Sequence, residues 1–85
     1  MPLYRLNSLV TLRENFVQMD GIDVFECNTD ALEMLKVMRE FTEEGKSFDA
    51  MEIVKRLGIE ETEDNVFAIK NAILYLRGSF IIDEC

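Results

Sequence analysis

Residues capable of covalent or acid–base chemistry are scarce in this sequence. The 85-residue chain has no histidine, and its two cysteines, Cys27 and Cys85, lie far apart. A cysteine nucleophile needs a neighbouring base to form its thiolate, and the chain has no GxSxG, HExxH or glycine-rich phosphate-binding pattern. Carboxylates are abundant, but 17 acidic residues in 85 form pairs by chance. The sequence therefore predicts a protein with no catalytic residues and no cofactor.

A dense acidic cluster is the other candidate for chemistry, because carboxylates bind hard cations. It comprises Glu60, Glu61, Glu63 and Asp64. The cluster lacks the spacing of a calcium-binding loop and its terminal bidentate glutamate. Acidic residues are also typical of a helix N-terminus, where they interact favourably with the helix dipole. With no histidine and no CxxC pair, zinc ligands are missing too. We expect no metal site and reduced, structural cysteines.

Charge and hydropathy restrict the partners. The net charge is −8, which repels DNA, RNA and anionic lipid headgroups and favours a basic partner. No stretch approaches the roughly 20 apolar residues of a membrane span, and the first residues, MPLYRLNSLV, do not resemble a signal peptide. The sequence predicts a cytoplasmic protein that binds neither nucleic acid nor membranes.

The elements that must position any site fall into two halves of one predicted domain, residues 1–85. Strands are predicted at residues 9–13, 15–19 and 22–27, with Asp20-Gly21 as a two-residue turn between the last two. That turn pairs Met19 with Ile22, Val17 with Val24 and Phe16 with Phe25. The apolar face of the sheet, which should pack on helices, is then Val17, Met19, Ile22 and Val24.

Helical periodicity begins after Cys27. The first helix is capped by Asn28 or Thr29 and ends near Glu44-Gly45. The second is capped by Ser47 and ends at Gly58, and the third runs from a cap at Thr62 to about Arg77. The tail, Phe80-Ile81-Ile82, is apolar enough to dock or add a short strand. The predicted core includes Val17, Val24, Leu35, Met38, Val54 and Ile73.

This order predicts an α+β fold, with a three-stranded antiparallel sheet followed by three helices in a winged-helix-like outline. A winged-helix transcription regulator is therefore one alternative function. Such a protein inserts the N-terminal end of its third helix into the major groove. Here that end carries the acidic cluster of Glu60, Glu61, Glu63 and Asp64, so DNA reading is disfavoured.

The third helix has more apolar surface than one core face requires. One stripe is Val66, Ile69, Ile73 and Leu76. A second, rotated by about a quarter turn, combines apolar and basic residues, which we call the apolar–basic ridge: Phe67, Lys70, Leu74 and Arg77. The ridge has two interpretations. It is either part of a wide core face, in which the methylene groups of Lys70 and Arg77 are buried while their charged ends reach solvent, or it lines a groove for an extended peptide with apolar and acidic side chains.

Three segments resemble the PqqD-like proteins. The run FVQMDGIDVFECNTDALEMLKVM resembles their hairpin, the strand that ends in a polar-Asn segment and the following helix. The run SFDAMEIVKRLG resembles their short second helix, and the third helix with the closing Phe80-Ile81-Ile82 resembles their C-terminal part. The resemblance covers nearly the whole chain.

The resemblance implies a RiPP recognition element, which binds the leader segment of a ribosomally synthesised precursor peptide and presents it to a modifying enzyme such as a leader peptidase, a cyclase or a radical enzyme. The leader would add as a strand to the edge of the third predicted strand, against the third helix. A small structural subunit of an enzyme complex is the second alternative. The implied peptide-binding residues are Ile22, Asp23, Val24, Phe25, Glu26, Cys27, Phe67, Lys70, Leu74 and Arg77.

Overall fold

A computed structural model describes residues 2–85 and shows an α+β protein; Met1, the first residue of the predicted domain, lies outside the described residues. The predicted strands and helices are present, with one additional strand before them and a short strand that begins in the predicted apolar tail. In chain order they are β1 (Tyr4–Leu6), β2 (Val10–Arg13), β3 (Phe16–Met19), β4 (Ile22–Glu26), α1 (Thr29–Glu43), α2 (Ala50–Leu57), α3 (Glu63–Gly78) and β5 (Ile82–Glu84).

The three-stranded antiparallel sheet has the order β2-β3-β4, as the sequence predicts. Asp20 and Gly21 form the turn between β3 and β4, with φ angles of 52° and 81°. Positive φ at both central residues is the geometry of a type I′ turn, which matches the twist of the flanking strands. The turn pairs Met19 with Ile22, so the predicted start of the register is confirmed.

The register changes two residues further on, and the predicted burial of Val24 is wrong. Gln18 pairs with Asp23, but Val17 pairs with Phe25, which leaves Val24 as an extra residue in β4. A bulge of this kind shifts every later side chain to the other face of the sheet. Phe25 therefore replaces Val24 opposite the fully buried Val17, and Val24 is 48% exposed.

A second, two-stranded sheet joins the ends of the chain. β1 pairs antiparallel with β5, with Tyr4 opposite Glu84. Ile81 and Ile82 are buried, whereas Phe80 projects into solvent. The predicted docking of the tail is thus confirmed for its two isoleucines.

The helix caps agree with the sequence at two of three sites. The Ala31 amide donates to Asn28 Oδ1 at 2.8 Å, and the Asn65 amide donates to Thr62 Oγ1 at 3.2 Å. Ser47 is not the cap of α2, because the Glu52 amide donates to Asp49 Oδ1 instead, at 2.9 Å. Two backbone hydrogen bonds with Tyr4 hold Phe48 in a β-bridge, so the helix starts later than predicted.

Arg56 of α2 contacts the end of α1. Its guanidinium lies 3.7 Å from the centre of the Phe41 ring and donates to both carboxylate oxygens of Glu44, at 2.7 and 3.1 Å. These hydrogen bonds hold the pKa of Glu44 below its usual value. The pair orients α2 against α1.

The core lies between the sheets and the helices. Five of the six predicted core residues are buried: Val17, Leu35, Met38, Val54 and Ile73. Phe48, which the sequence placed in a helix, is also fully buried, and its ring lies 5.9 Å from that of Phe41. Among residues 2–85, no helix combines the length and apolar character needed to cross a membrane.

Candidate functional site

The outer edge of β4 is the first component of the candidate site. In the sheet order β2-β3-β4, β4 has a neighbour on one side only within the described residues. Ile22, which lies beside the turn, is 69% exposed, and Val24 is also exposed. The strand therefore presents unpaired backbone groups next to apolar side chains, which is the surface that another extended chain can join.

Hydrogen bonds across the outer face of the sheet hold Asp23 in place. Thr11 Oγ1 lies 3.3 Å from Gln18 Oε1, and Gln18 Nε2 donates to Asp23 Oδ1 at 2.7 Å. This polar row runs across all three strands. The Asp23 carboxylate thus accepts a hydrogen bond on the face of the sheet. At the strand edge, Asp23 offers its backbone N–H and C=O groups to a partner.

β4 contacts α3 through an aromatic pair. The rings of Phe25 and Tyr75 are 6.5 Å apart and meet edge to face, at 75°. The bulge at Val24 makes this contact possible, because it turns Phe25 towards the helices. Tyr75 remains 64% exposed, and its contact with Phe25 places it next to the edge strand β4.

The apolar–basic ridge has different neighbours. Lys70 and Leu74 line a depression of about 250 Å³ together with Pro2, Tyr4 and Asp49. The other residues of the ridge lie near α2 and β5. Phe67 and Lys70 share a depression of about 340 Å³ with Met51, and Arg77 Nη2 lies 3.7 Å from Glu84 Oε2.

The structure therefore does not bring the ridge and the β4 edge together. Successive helical residues are about 100° apart, so Leu74 and Tyr75 point to different flanks of α3. The flank that carries Tyr75 also carries Ala68 and Ala72, at intervals of four and three residues, and these two alanines lie opposite α1. This spacing of small side chains before an aromatic one indicates a second flank of α3 with room for another element or a ligand. The sequence analysis did not identify this flank.

A depression of about 430 Å³ continues the site beyond the end of β4. Asp30, Ala31 and Met34 of α1 form one wall, and Ala68 and Ala72 of α3 form the opposite wall. Ala72 precedes Tyr75 by three residues on α3, so the depression and the Phe25–Tyr75 contact involve neighbouring turns of the same helix. It has an apolar floor and an acidic rim, to which Glu33 also contributes.

Cys27, the last of the predicted edge residues, has a structural role. Its side chain is buried, and burial raises the pKa of the thiol. Its amide donates to the carbonyl of Asn15 at 2.7 Å, which extends the pairing of β3 with β4. Cys85 is exposed, and its Sγ lies 3.3 Å from Ser47 Oγ.

The acidic cluster at the start of α3 has no metal-binding geometry. Glu63 and Asp64 occupy the first helical turn, and the Asn65 side chain donates to the Glu60 carbonyl at 2.9 Å. Within residues 2–85, no three histidine, cysteine, aspartate or glutamate side chains are arranged to hold a metal ion.

Comparison with known proteins leaves the family open. The resemblance to PqqD-like proteins rests on motifs in the hairpin and the helices, and membership of that family stays a prediction. A scan against protein-family models, a search of curated proteins and a search of solved structures each find no match to this chain.

Proposed function

We propose that this protein is a cytoplasmic peptide-binding adaptor with a winged-helix-like arrangement. It binds the leader segment of a ribosomally synthesised precursor peptide and presents the peptide to a modifying enzyme, such as a leader peptidase, a cyclase or a radical enzyme. The observation that carries the proposal is the free edge of β4 beside the exposed Tyr75 of α3.

The leader adds to β4 as an extra strand. In a two-residue hairpin the residues that flank the turn hydrogen-bond to each other, and backbone groups alternate in direction along the strand. Ile22 therefore directs its N–H and C=O towards Met19, and Asp23 directs its own outwards. The bulge at Val24 interrupts this alternation and limits regular pairing to a short stretch. Backbone pairing thus supplies part of the affinity but little selectivity.

Side chains on the α3 flank supply selectivity. An extended segment on β4 passes Tyr75 and reaches the depression between α1 and α3. The apolar floor there suits an aliphatic or aromatic anchor of the leader. Asp30 and Glu33 on the rim suit a basic residue next to that anchor, in agreement with the net charge of −8.

Two neighbouring substitutions test this site. Tyr75→Ala should weaken leader binding by roughly tenfold or more, since truncation of a central aromatic side chain often costs about 2 kcal/mol. Leu74→Ala is the matched control, because Leu74 is similarly exposed but lies on the other flank. Binding is measured by titration with a synthetic peptide. Its sequence is the leader segment of a precursor whose gene lies next to the gene for this protein.

Amide chemical shifts in the same titration identify the surface. We expect shifts at residues 22–26 and around Tyr75 and Ala72. A peptide that binds with equal affinity to the Tyr75→Ala variant, or that shifts only the ridge, would contradict the site.

A further inference from the structure

We propose that the apolar–basic ridge of α3 is a homodimer interface in which two copies of this helix pack antiparallel. This surface lies on the flank of α3 away from β4 and takes no part in the peptide site. The partner that fits it is a second copy of this chain, because the ridge is complementary to itself.

The spacing of the ridge is that of a helix-packing seam. Glu63 extends the ridge by one turn, so that the exposed residues are Glu63, Phe67, Lys70, Leu74 and Arg77. They follow one another at intervals of four, three, four and three residues. This is the spacing at which side chains on one helix meet a partner helix along its length. The core stripe of α3 is separate and buries Ile73 and Leu76.

Antiparallel packing matches the chemistry of the seam layer by layer. With a two-fold axis near Lys70, Phe67 of one copy meets Leu74 of the other, and Glu63 meets Arg77. The symmetry makes each of these contacts twice. The positive end of each helix dipole also lies beside the negative end of the other. Parallel packing would instead oppose Glu63 to Glu63 and Arg77 to Arg77, so the charges select the antiparallel arrangement.

The required side chains are available on the monomer. Phe67 is 64% exposed and Leu74 is 57% exposed. Arg77 lies 3.7 Å from Glu84, but both side chains are more than two-fifths exposed, and exposed pairs of this kind contribute little. Arg77 can therefore exchange Glu84 for Glu63 of the second copy.

Two features limit the affinity. Lys70 lies near the two-fold axis and approaches its counterpart, although Asp49, which lines the same depression, adds a negative charge to this surface. The net charge of −8 on each chain also opposes association at long range, and salt screens this repulsion beyond about 8 Å under physiological conditions. We therefore expect a transient dimer of micromolar or weaker affinity.

Charge-swap variants test the pairing in sedimentation equilibrium over a concentration series that extends to about 1 mM, because the association is weak. Glu63→Arg and Arg77→Glu should each weaken the dimer roughly tenfold or more, since each places like charges together twice. An equimolar mixture of the two variants should recover association, because each swapped residue then meets an opposite charge. Asp64→Arg is the control: it makes the same charge change in the same helical turn, but off the ridge, and should leave the dimer unchanged.

Phe67→Glu should abolish the dimer, and Ile22→Glu, at an exposed site on β4, should preserve it. Circular dichroism verifies that each variant is folded. Lys70→Leu should strengthen association, because it replaces the charge at the axis by an apolar contact. A wild-type protein that remains monomeric throughout the series overturns the proposal. A dimer that persists in Phe67→Glu, or whose charge-swap variants do not associate when mixed, overturns it as well.

Discussion

Phe25 and Tyr75 determine the candidate site at the scale of single residues. Phe25 faces the helices because Val24 is an extra residue in β4. Its ring packs edge to face against the ring of Tyr75, with 6.5 Å between the ring centres. Without the bulge, the side chain at position 25 would face away from the core, and β4 would have no aromatic contact with α3. The bulge thus exchanges a buried valine for a phenylalanine that links the sheet to the helix.

Alanine substitutions in the hairpin test the bulge. Val17 is fully buried, so Val17→Ala should lower the free energy of unfolding by about 2 kcal/mol, from lost burial and the cavity left behind. Val24→Ala should change it by no more than about 0.5 kcal/mol, as is usual for exposed positions. Urea titrations of the two variants measure both values, and equal losses would show that Val24 is in the core.

The start of α2 is decided at the scale of elements, by a contact with β1. Phe48 exchanges backbone hydrogen bonds with Tyr4 at 2.8 and 2.9 Å, which keeps residue 48 extended. The helix therefore begins at Ala50, and Asp49 supplies the cap. The same bridge fixes β1 beside the first turn of α2, where both elements line the depression that contains Lys70.

Removal of each candidate cap distinguishes the two starting points. Asp49→Ala should cost about 1 kcal/mol of stability, the usual effect of losing an N-cap acceptor. Ser47→Ala should cost almost nothing, because the Glu52 amide donates to Asp49 and Ser47 has only the neighbouring Cys85 thiol. Thermal unfolding followed by circular dichroism measures the difference. A larger loss for Ser47→Ala would contradict the assigned cap.

The whole molecule separates two surfaces on opposite flanks of one helix. The β4 edge and Tyr75 form one, and the apolar–basic ridge forms the other, beside β1, α2 and β5. A peptide on the first surface and a second copy on the second would not compete. The net charge of −8 on the whole chain disfavours anionic partners.

That charge leads to a prediction about nucleic acid. The N-terminal turn of α3, which a winged-helix regulator would insert into DNA, carries Glu63 and Asp64. We expect no specific complex with duplex DNA at physiological salt in a mobility-shift assay. Non-specific binding by DNA-binding proteins is already weak, at about 10⁻⁴–10⁻⁶ M. A sub-micromolar complex would favour the regulator over the peptide-binding adaptor.

The sequence by itself determined the features that depend on a few consecutive residues. Asp20-Gly21 specifies its turn because both positions need positive φ. Asn28 and Thr62 specify helix starts because their side chains reach amides three residues ahead. The helical stripes that bury Leu35 and Ile73 follow from a period of about 3.6 residues. From these, the α+β class and most of the core could be predicted, together with the position of the candidate edge strand.

Only the tertiary structure decided the features that depend on distant parts of the chain. The bulge at Val24 turns Phe25 towards Tyr75 of α3, and the extended backbone at Phe48 comes from pairing with β1. The position of the ridge was equally undetermined, because helical periodicity gives the angle between two stripes but not which flank meets the sheet. Contacts of α3 with β4, β1 and β5 settle that choice, and they place Tyr75, rather than Leu74, beside the strand edge.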